Sequence, residues 1–214
     1  MHGNIDNVVS LNAMALHLMC QGLYTDAQLT LRKALEELKH YAKAIPETPH
    51  ESIIQVCPRK LLGHSKAVPC QVFSRPFEVQ LMEQGIKTAS SGYSFISEHD
   101  VNLLSATILF NMALAHQLKG SLSVDTRKAS SFYRLAMSTC QRTDVHRDAA
   151  VSLLAVAIGN NLASCLAELF LYHQLETCIE WTLDTAEEMK GNYSFFWTNL
   201  VSWQNTKSLS AGAA

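Results

Sequence analysis

The sequence predicts a mainly α-helical fold in which three helical hairpins follow one another, interrupted once by a proline-containing insertion. Three observations carry this. Apolar residues recur every three or four positions over long stretches, which places them on one face of a helix. All five prolines (Pro46, Pro49, Pro58, Pro69, Pro76) fall between residues 46 and 76, which excludes long helices there and leaves the rest of the chain free to be helical. Hydrophobic residues make up 48% of the chain and charged ones only 17%, a balance that suits helices wrapped in other helices.

In chain order, Asp6 to Gln21 carries Val8, Leu11, Ala15, Leu18 and Met19 at helical spacing, and Gly22 stops it. Tyr24 to Lys43 follows with Ala27, Leu31, Ala34, Leu35 and Leu38 on one face, completing a first hairpin. In the proline segment, Ser52 to Cys57 and Val68 to Phe73 are β-branched and apolar, and Phe77 to Leu81 alternates with period two, so short strands or extended arms are expected. Pro69 and Pro76 favour a small hairpin over a core sheet. Ser97 with Asp100 three residues on is a capping box for a central helix that is apolar over most of its circumference through Leu104, Ile108, Met112 and Ala115. A second amphipathic helix after Gly120 carries Ala129, Phe132, Tyr133, Ala136 and Cys140; the small residues on both let the backbones approach, with Tyr133 filling the groove between. Thr143 or Asp144 can cap a third pair, Val145 to Tyr172 and Gln174 to Lys190. The tail holds Phe195, Phe196, Trp197, Leu200, Val201 and Trp203, too apolar to be left in water, and Ser208 to Ala214 is expected to be disordered. As one domain the chain divides into a first hairpin (1–43), the insertion (44–97), a second hairpin (98–141), a third hairpin (142–190), and an aromatic tail with a disordered end (191–214).

Hairpins in series invite a test for repetition. In the first, Ala15, Gly22, Ala27, Leu31 and Ala34 are separated by 7, 5, 4 and 3 residues; in the second, Ala113, Gly120, Ala129, Tyr133 and Ala136 are separated by 7, 9, 4 and 3. The pattern resembles the tetratricopeptide (TPR) repeat, with Gly22-Leu23-Tyr24-Thr25-Asp26-Ala27 matching its turn and Asn111-Met112-Ala113 its first helix. Asn161-Leu162-Ala163 aligns with the latter, whereas Cys178 and Thr185 stand where alanines belong in the third unit. No tryptophan opens a first helix and no proline closes a unit. The likeness covers roughly 60% of the chain, and the wording of Phe110 to Gly120 is similar to TPR-like proteins of diatoms. It implies a TPR-like α-solenoid of about three hairpins whose first helices face a groove at Asn12, Leu16, Met19, Phe110, Leu114, Gln117, Asn160, Ser164 and Ala167. None of the nine is Lys or Arg, which argues against the carboxylate clamp of the chaperone-binding members. An apolar groove favours an amphipathic helix, an apolar peptide, or the chain's own insertion or tail folded back; equally, these residues could be internal core.

Other chemistry is thinly represented. Between Glu51 and Glu78 no acidic residue occurs while Arg59, Lys60, His64, Lys66 and Arg75 do, which reads either as a local positive surface for a phosphate or acidic segment or as a solvated loop. Cys57, His64 and Cys70 lack a paired zinc knuckle and a fourth ligand, so no metal is expected. His17 and Cys20 lie three apart on a helix without an orienting third group, and no phosphate-binding loop, nucleophile elbow or paired-carboxylate signature occurs, so neither catalysis nor a cofactor is expected. A net charge of -2 and 8% aromatics give no field or stacking platform for nucleic acid. No uninterrupted apolar span suggests a membrane helix, since Asn160, Asn161, Ser164 and Glu168 break the best candidate. The start lacks the regions of a signal peptide, and the six scattered cysteines suit a reducing compartment, cytoplasmic or nuclear. The expected function is a non-catalytic scaffold or adaptor that binds a protein or peptide through an apolar groove. A structural homo-oligomer using the insertion and aromatic tail is the alternative, and an enzyme of unrecognised type is a further one.

Overall fold

A computed structural model describes residues 5–42, 54–60, 72–82, 96–120, 123–143, 149–187 and 194–211, with side chains of the last helix described over 195–203. The described chain is mainly helical with one small sheet. The elements are α1 (Ile5–Cys20), α2 (Tyr24–Ala42), β1 (Ile54–Pro58), β2 (Phe77–Leu81), α3 (Glu98–Lys119), α4 (Ser123–Cys140), α5 (Ala149–Glu168), α6 (Tyr172–Glu187) and α7 (Ser194–Ala211). Packing follows chain order from α1 to α6, each helix lying against the next, and α7 closes against both α5 and α6.

The helices begin and end where local chemistry requires. Ser97 caps α3 in a reciprocal box: its hydroxyl accepts from the Asp100 amide at 3.1 Å while the Asp100 carboxylate takes the Ser97 N–H and O–H. At the end of α1 the Leu23 amide donates to the Leu18 carbonyl and the Gly22 amide to that of Met19, with Gly22 at φ 76. Such a left-handed closure satisfies the last carbonyls, and glycine adopts it without a Cβ penalty. The α5–α6 turn makes the same two bonds, Leu171 to Leu166 and Phe170 to Ala167, but here Phe170 occupies the left-handed position at φ 57. The turn that closes α1 thus recurs between α5 and α6 without its glycine. Counting onward from Phe170 as from Gly22 brings Leu175 and Thr182, instead of Cys178 and Thr185, to the alanine positions. Gly120 serves differently: its φ is -75, and a Cβ there would meet Asp125 Cβ at 2.9 Å, so close approach of α4 demands it. Thr143 bonds back to the Cys140 carbonyl at 2.6 Å and closes α4, while Asp144 lies outside the described residues.

The proline segment yields one antiparallel pair, β1 with β2, in the register Ile54 to Leu81 through Pro58 to Phe77. Pro58 ends β1, as a residue without an N–H must, and the Arg59 amide continues the pairing onto the Pro76 carbonyl. Val72 and Phe73, expected in a strand, lie outside the sheet, Val72 at a bend; residues 68–71 lie outside the described part. The tail is a helix, continuing to Ala211 where disorder was expected, with Phe196, Leu200 and Trp203 buried and Phe195, Trp197 and Val201 exposed.

Helices α3 and α5 are long and apolar enough to cross a membrane by length and composition alone, a weak signal that core helices share, and most of both is buried by the surrounding chain. Their apolar excess is spent internally. On α5, Gly159 is needed because a Cβ there would meet Thr182 Oγ1 at 2.0 Å, which fixes how closely α6 can lie.

Candidate functional site

The small sheet does not stand apart from the helices. β2 lies against α1 and α3, and β1 against α3 and α5, so the insertion spans the first helices of all three hairpins. Those three helices carry the face that the sequence pattern assigns to a groove.

Asparagines hold the insertion there by its backbone. Asn111 on α3 accepts the Phe77 N–H on Oδ1 at 2.8 Å and donates Nδ2 to the Phe77 carbonyl at 2.7 Å. The same carbonyl takes a second bond from Asn12 Nδ2 on α1 at 3.2 Å, and Asn111 Nδ2 also donates to Asn12 Oδ1 at 2.9 Å. On α5 the arrangement recurs fifty positions later: Asn161 Oδ1 accepts the Phe73 N–H at 2.8 Å and its Nδ2 donates to the Phe73 carbonyl at 3.0 Å. A carboxamide offers one donor edge and one acceptor edge side by side, as a neighbouring β-strand does, so each asparagine substitutes for a strand at an otherwise unpaired edge.

Second bonds lock each amide in orientation. Asn161 Nδ2 donates to Tyr133 Oη at 3.0 Å, the Tyr133 hydroxyl donates to Gln117 Oε1 at 2.9 Å, and Asn160 Nδ2 donates to Asn161 Oδ1 at 3.0 Å. Asn160 Oδ1 in turn accepts from Asn199 Nδ2 on α7 at 3.0 Å. The network therefore joins α3, α4, α5, α7 and the insertion. Burial drives the Tyr133 hydroxyl well above its ordinary pKa, with the nearby Cys165 adding to it, so it stays a neutral donor and acceptor.

Rings flank the two clamped peptides. Phe77 is buried and meets Phe110 edge-on at 5.2 Å; Phe110 meets Tyr133 at 5.6 Å. Phe73 is half-buried between Phe77 at 5.9 Å and the α7 rings Phe196 at 5.4 Å and Phe195 at 6.4 Å.

Of the positions expected to face a groove, Asn12, Leu16, Met19, Phe110, Leu114 and Asn160 are buried, and Gln117, Ser164 and Ala167 are half-buried. Asn12, Phe110, Gln117 and Asn160 join the network or ring stack around the insertion; Leu16, Met19 and Leu114 are apolar surface buried without a polar role. The residues that grip the backbone, Asn111 and Asn161, sit one position beyond the expected Phe110 and Asn160. The available signal was the repeated Asn-(Met/Leu)-Ala wording.

The other candidates separate. Arg59 pairs with Glu78 at 2.6 Å, which neutralises part of the basic segment; Lys60 and Arg75 are exposed, and His64 and Lys66 lie outside the described residues, as does Cys70. Among the described residues no cluster of three metal-ligating side chains occurs. Gln21 Nε2 donates to His17 Nε2 at 2.9 Å, occupying the imidazole lone pair that a base would need for Cys20. Burial pushes the thiols of Cys140 up to about 11 and Cys178 up to about 12, and raises Cys165 also, so these behave as small apolar side chains.

Among the described histidines, His116 has surroundings that move its pKa. It stacks on Phe132 at 5.6 Å, with Nδ1 3.3 Å from Asp125 Oδ1. Burial lowers its pKa from 6.5; the Asp125 hydrogen bond and charge oppose this without compensating, and Lys128 and Lys119 lower it further. A depressed folded value means that the unfolded chain binds the proton first. Stability is therefore expected to be level above about pH 6.5 and to fall as the pH drops below it towards the folded value. Urea midpoints for wild type and His116→Gln across pH 5 to 8 check this; equal slopes in both proteins would assign the pH dependence elsewhere.

Comparison with protein-family models, with curated proteins and with solved structures found no match.

Proposed function

We propose that this chain is a non-catalytic protein-interaction module, a TPR-like solenoid of three hairpins that receives an extended peptide across α1, α3 and α5. One observation carries the reading: that face already holds an extended segment of the chain through paired asparagine contacts to its backbone. Side-chain amides hold the main chain of the bound segment, while the rings beside them, Phe110 and Phe196, select among its side chains, a combination that suits a scaffold or adaptor. The buried thiols of Cys140 and Cys178 are held protonated, and burial keeps the Tyr133 hydroxyl of the asparagine network neutral, which favours a binding role over acid–base work.

The test is a displayed library of random peptides selected on the immobilised chain carrying Phe73→Ala, which weakens the internal occupant at its half-buried end. Selected peptides should share a consensus, and their binding should fall at least about tenfold when Ser164→Arg is added at the half-buried edge of α5. Absence of any consensus on a chain that remains helical would sink the reading.

A second reading, a homo-oligomer, draws on the exposed Phe195, Trp197 and Val201 of α7. Sedimentation of the wild type over a hundredfold concentration range separates it, because only self-association moves the mass.

A further inference from the structure

We propose that the ligand of this face is an extended segment of a partner protein with two aromatic residues four positions apart, and that Phe73-Ser74-Arg75-Pro76-Phe77 is an internal copy of that ligand which keeps the face closed. The proposal rests on the interaction reading above and adds to it the recognition rule and the competitor.

Both contact points share one arrangement, to which Asn12 adds a second bond at the Phe77 carbonyl. At each, one asparagine takes both the N–H and the C=O of a single phenylalanine, and the ring of that residue packs on aromatic side chains. The intervening residues are held differently: Arg75 is exposed, and the Pro76 carbonyl accepts from the Arg59 amide, inside the insertion itself. Clamping therefore selects an extended backbone and ring packing selects the aromatic pair. The four-residue interval is set by the placement of Asn111 on α3 and Asn161 on α5.

The internal segment is an incomplete ligand at one end. Phe77 is fully buried, whereas Phe73 is half-buried beside the partly exposed Phe195. A segment that seats its first ring more deeply gains apolar burial at that end and meets the same asparagines. A second copy of this chain has no such advantage. It carries the same segment, already tethered to its own face at an effective concentration on the order of millimolar, so at micromolar levels it cannot displace its equal. A partner protein with a better first anchor can.

A fluorescent peptide of the Val72 to Leu81 sequence serves as the probe, titrated by anisotropy into wild type and into Phe73→Ala/Phe77→Ala. Removing the internal competitor raises the competent fraction from the order of 0.1 to 10% to nearly all, so the variant should bind about 10- to 1000-fold tighter than wild type. A peptide with both phenylalanines changed to serine should bind neither protein, and Asn161→Leu in the open background should weaken the native peptide at least about tenfold. Equal binding of the two peptides overturns the aromatic rule while leaving the interaction reading intact, as would a library consensus without the pair. No binding to a variant that stays helical and monomeric overturns the internal-ligand assignment. A wild-type dimer that is lost on Phe73→Ala/Phe77→Ala also overturns the proposal, because it makes a second copy the occupant. Should the double variant fail to fold, hydrogen exchange on the wild type decides: excess native peptide should speed exchange of the Phe73 and Phe77 amides, and unchanged exchange at saturating peptide refutes displacement.

Discussion

Asn111→Ala is expected to lower the unfolding free energy by about 3–5 kcal/mol. The side chain is fully buried and makes three bonds, to the N–H and C=O of Phe77 and to Asn12. Truncation leaves the Phe77 N–H and Asn12 Oδ1 without these partners, at about 1–3 kcal/mol for each unsatisfied buried group, and adds a cavity. The Phe77 carbonyl loses less, since Asn12 still donates to it at 3.2 Å. Asn161→Ala should cost less at the clamped peptide, because Phe73 is half-buried, but it also takes a partner from Tyr133 Oη and Asn160 Nδ2. Urea denaturation followed by far-ultraviolet circular dichroism checks both. A cost below about 1 kcal/mol for Asn111→Ala would mean that the insertion leaves this face at little penalty, and the asparagines would lose their assigned role. Asn111→Asp refines the test, since it keeps an acceptor for the Phe77 N–H, removes both donors and buries a charge.

The hairpins were legible because their cause is local. Apolar periodicity, the Ser97–Asp100 box and the glycine of the first turn all act within a few residues, and each produced the structure it implied. The third turn was less legible because hydrogen bonding, and not glycine itself, defines it: Phe170 accepts a left-handed backbone at a cost of about 1 kcal/mol and remains 74% exposed. The candidate site was legible as a face but not in its contents. Asn12 and Asn111 meet Phe77 across 65 and 34 residues, and Asn161 meets Phe73 across 88. Their partners are backbone atoms, which every residue has, so nothing in the sequence marks which peptide is held. An error of one position, Phe110 for Asn111 and Asn160 for Asn161, turns a helix by about 100° and exchanges a gripping residue for its neighbour.

Phe110→Ala and Phe77→Ala are each expected to cost about 3–5 kcal/mol, and combining them should cost less than the sum by about 0.5–1.5 kcal/mol. Both rings are fully buried, and they meet edge-on at 5.2 Å with an interplanar angle of 80°. Phe110 therefore supports the insertion and the α3–α4 packing together, the latter through Tyr133 at 5.6 Å. Chemical denaturation of the two single variants and the double gives the coupling directly. Strict additivity would separate the rings energetically and leave the backbone contacts from Asn111 and Asn12 as the polar ties at Phe77. A coupling within the expected range would make Phe110 a support of the insertion and of the helical core at once. Loss of binding by Phe110→Ala could not then be assigned to a lost contact until the variant's stability had been measured. Ser164 on α5 is half-buried, so a substitution there probes the proposed binding face with less disturbance to the core than one at the fully buried Phe110.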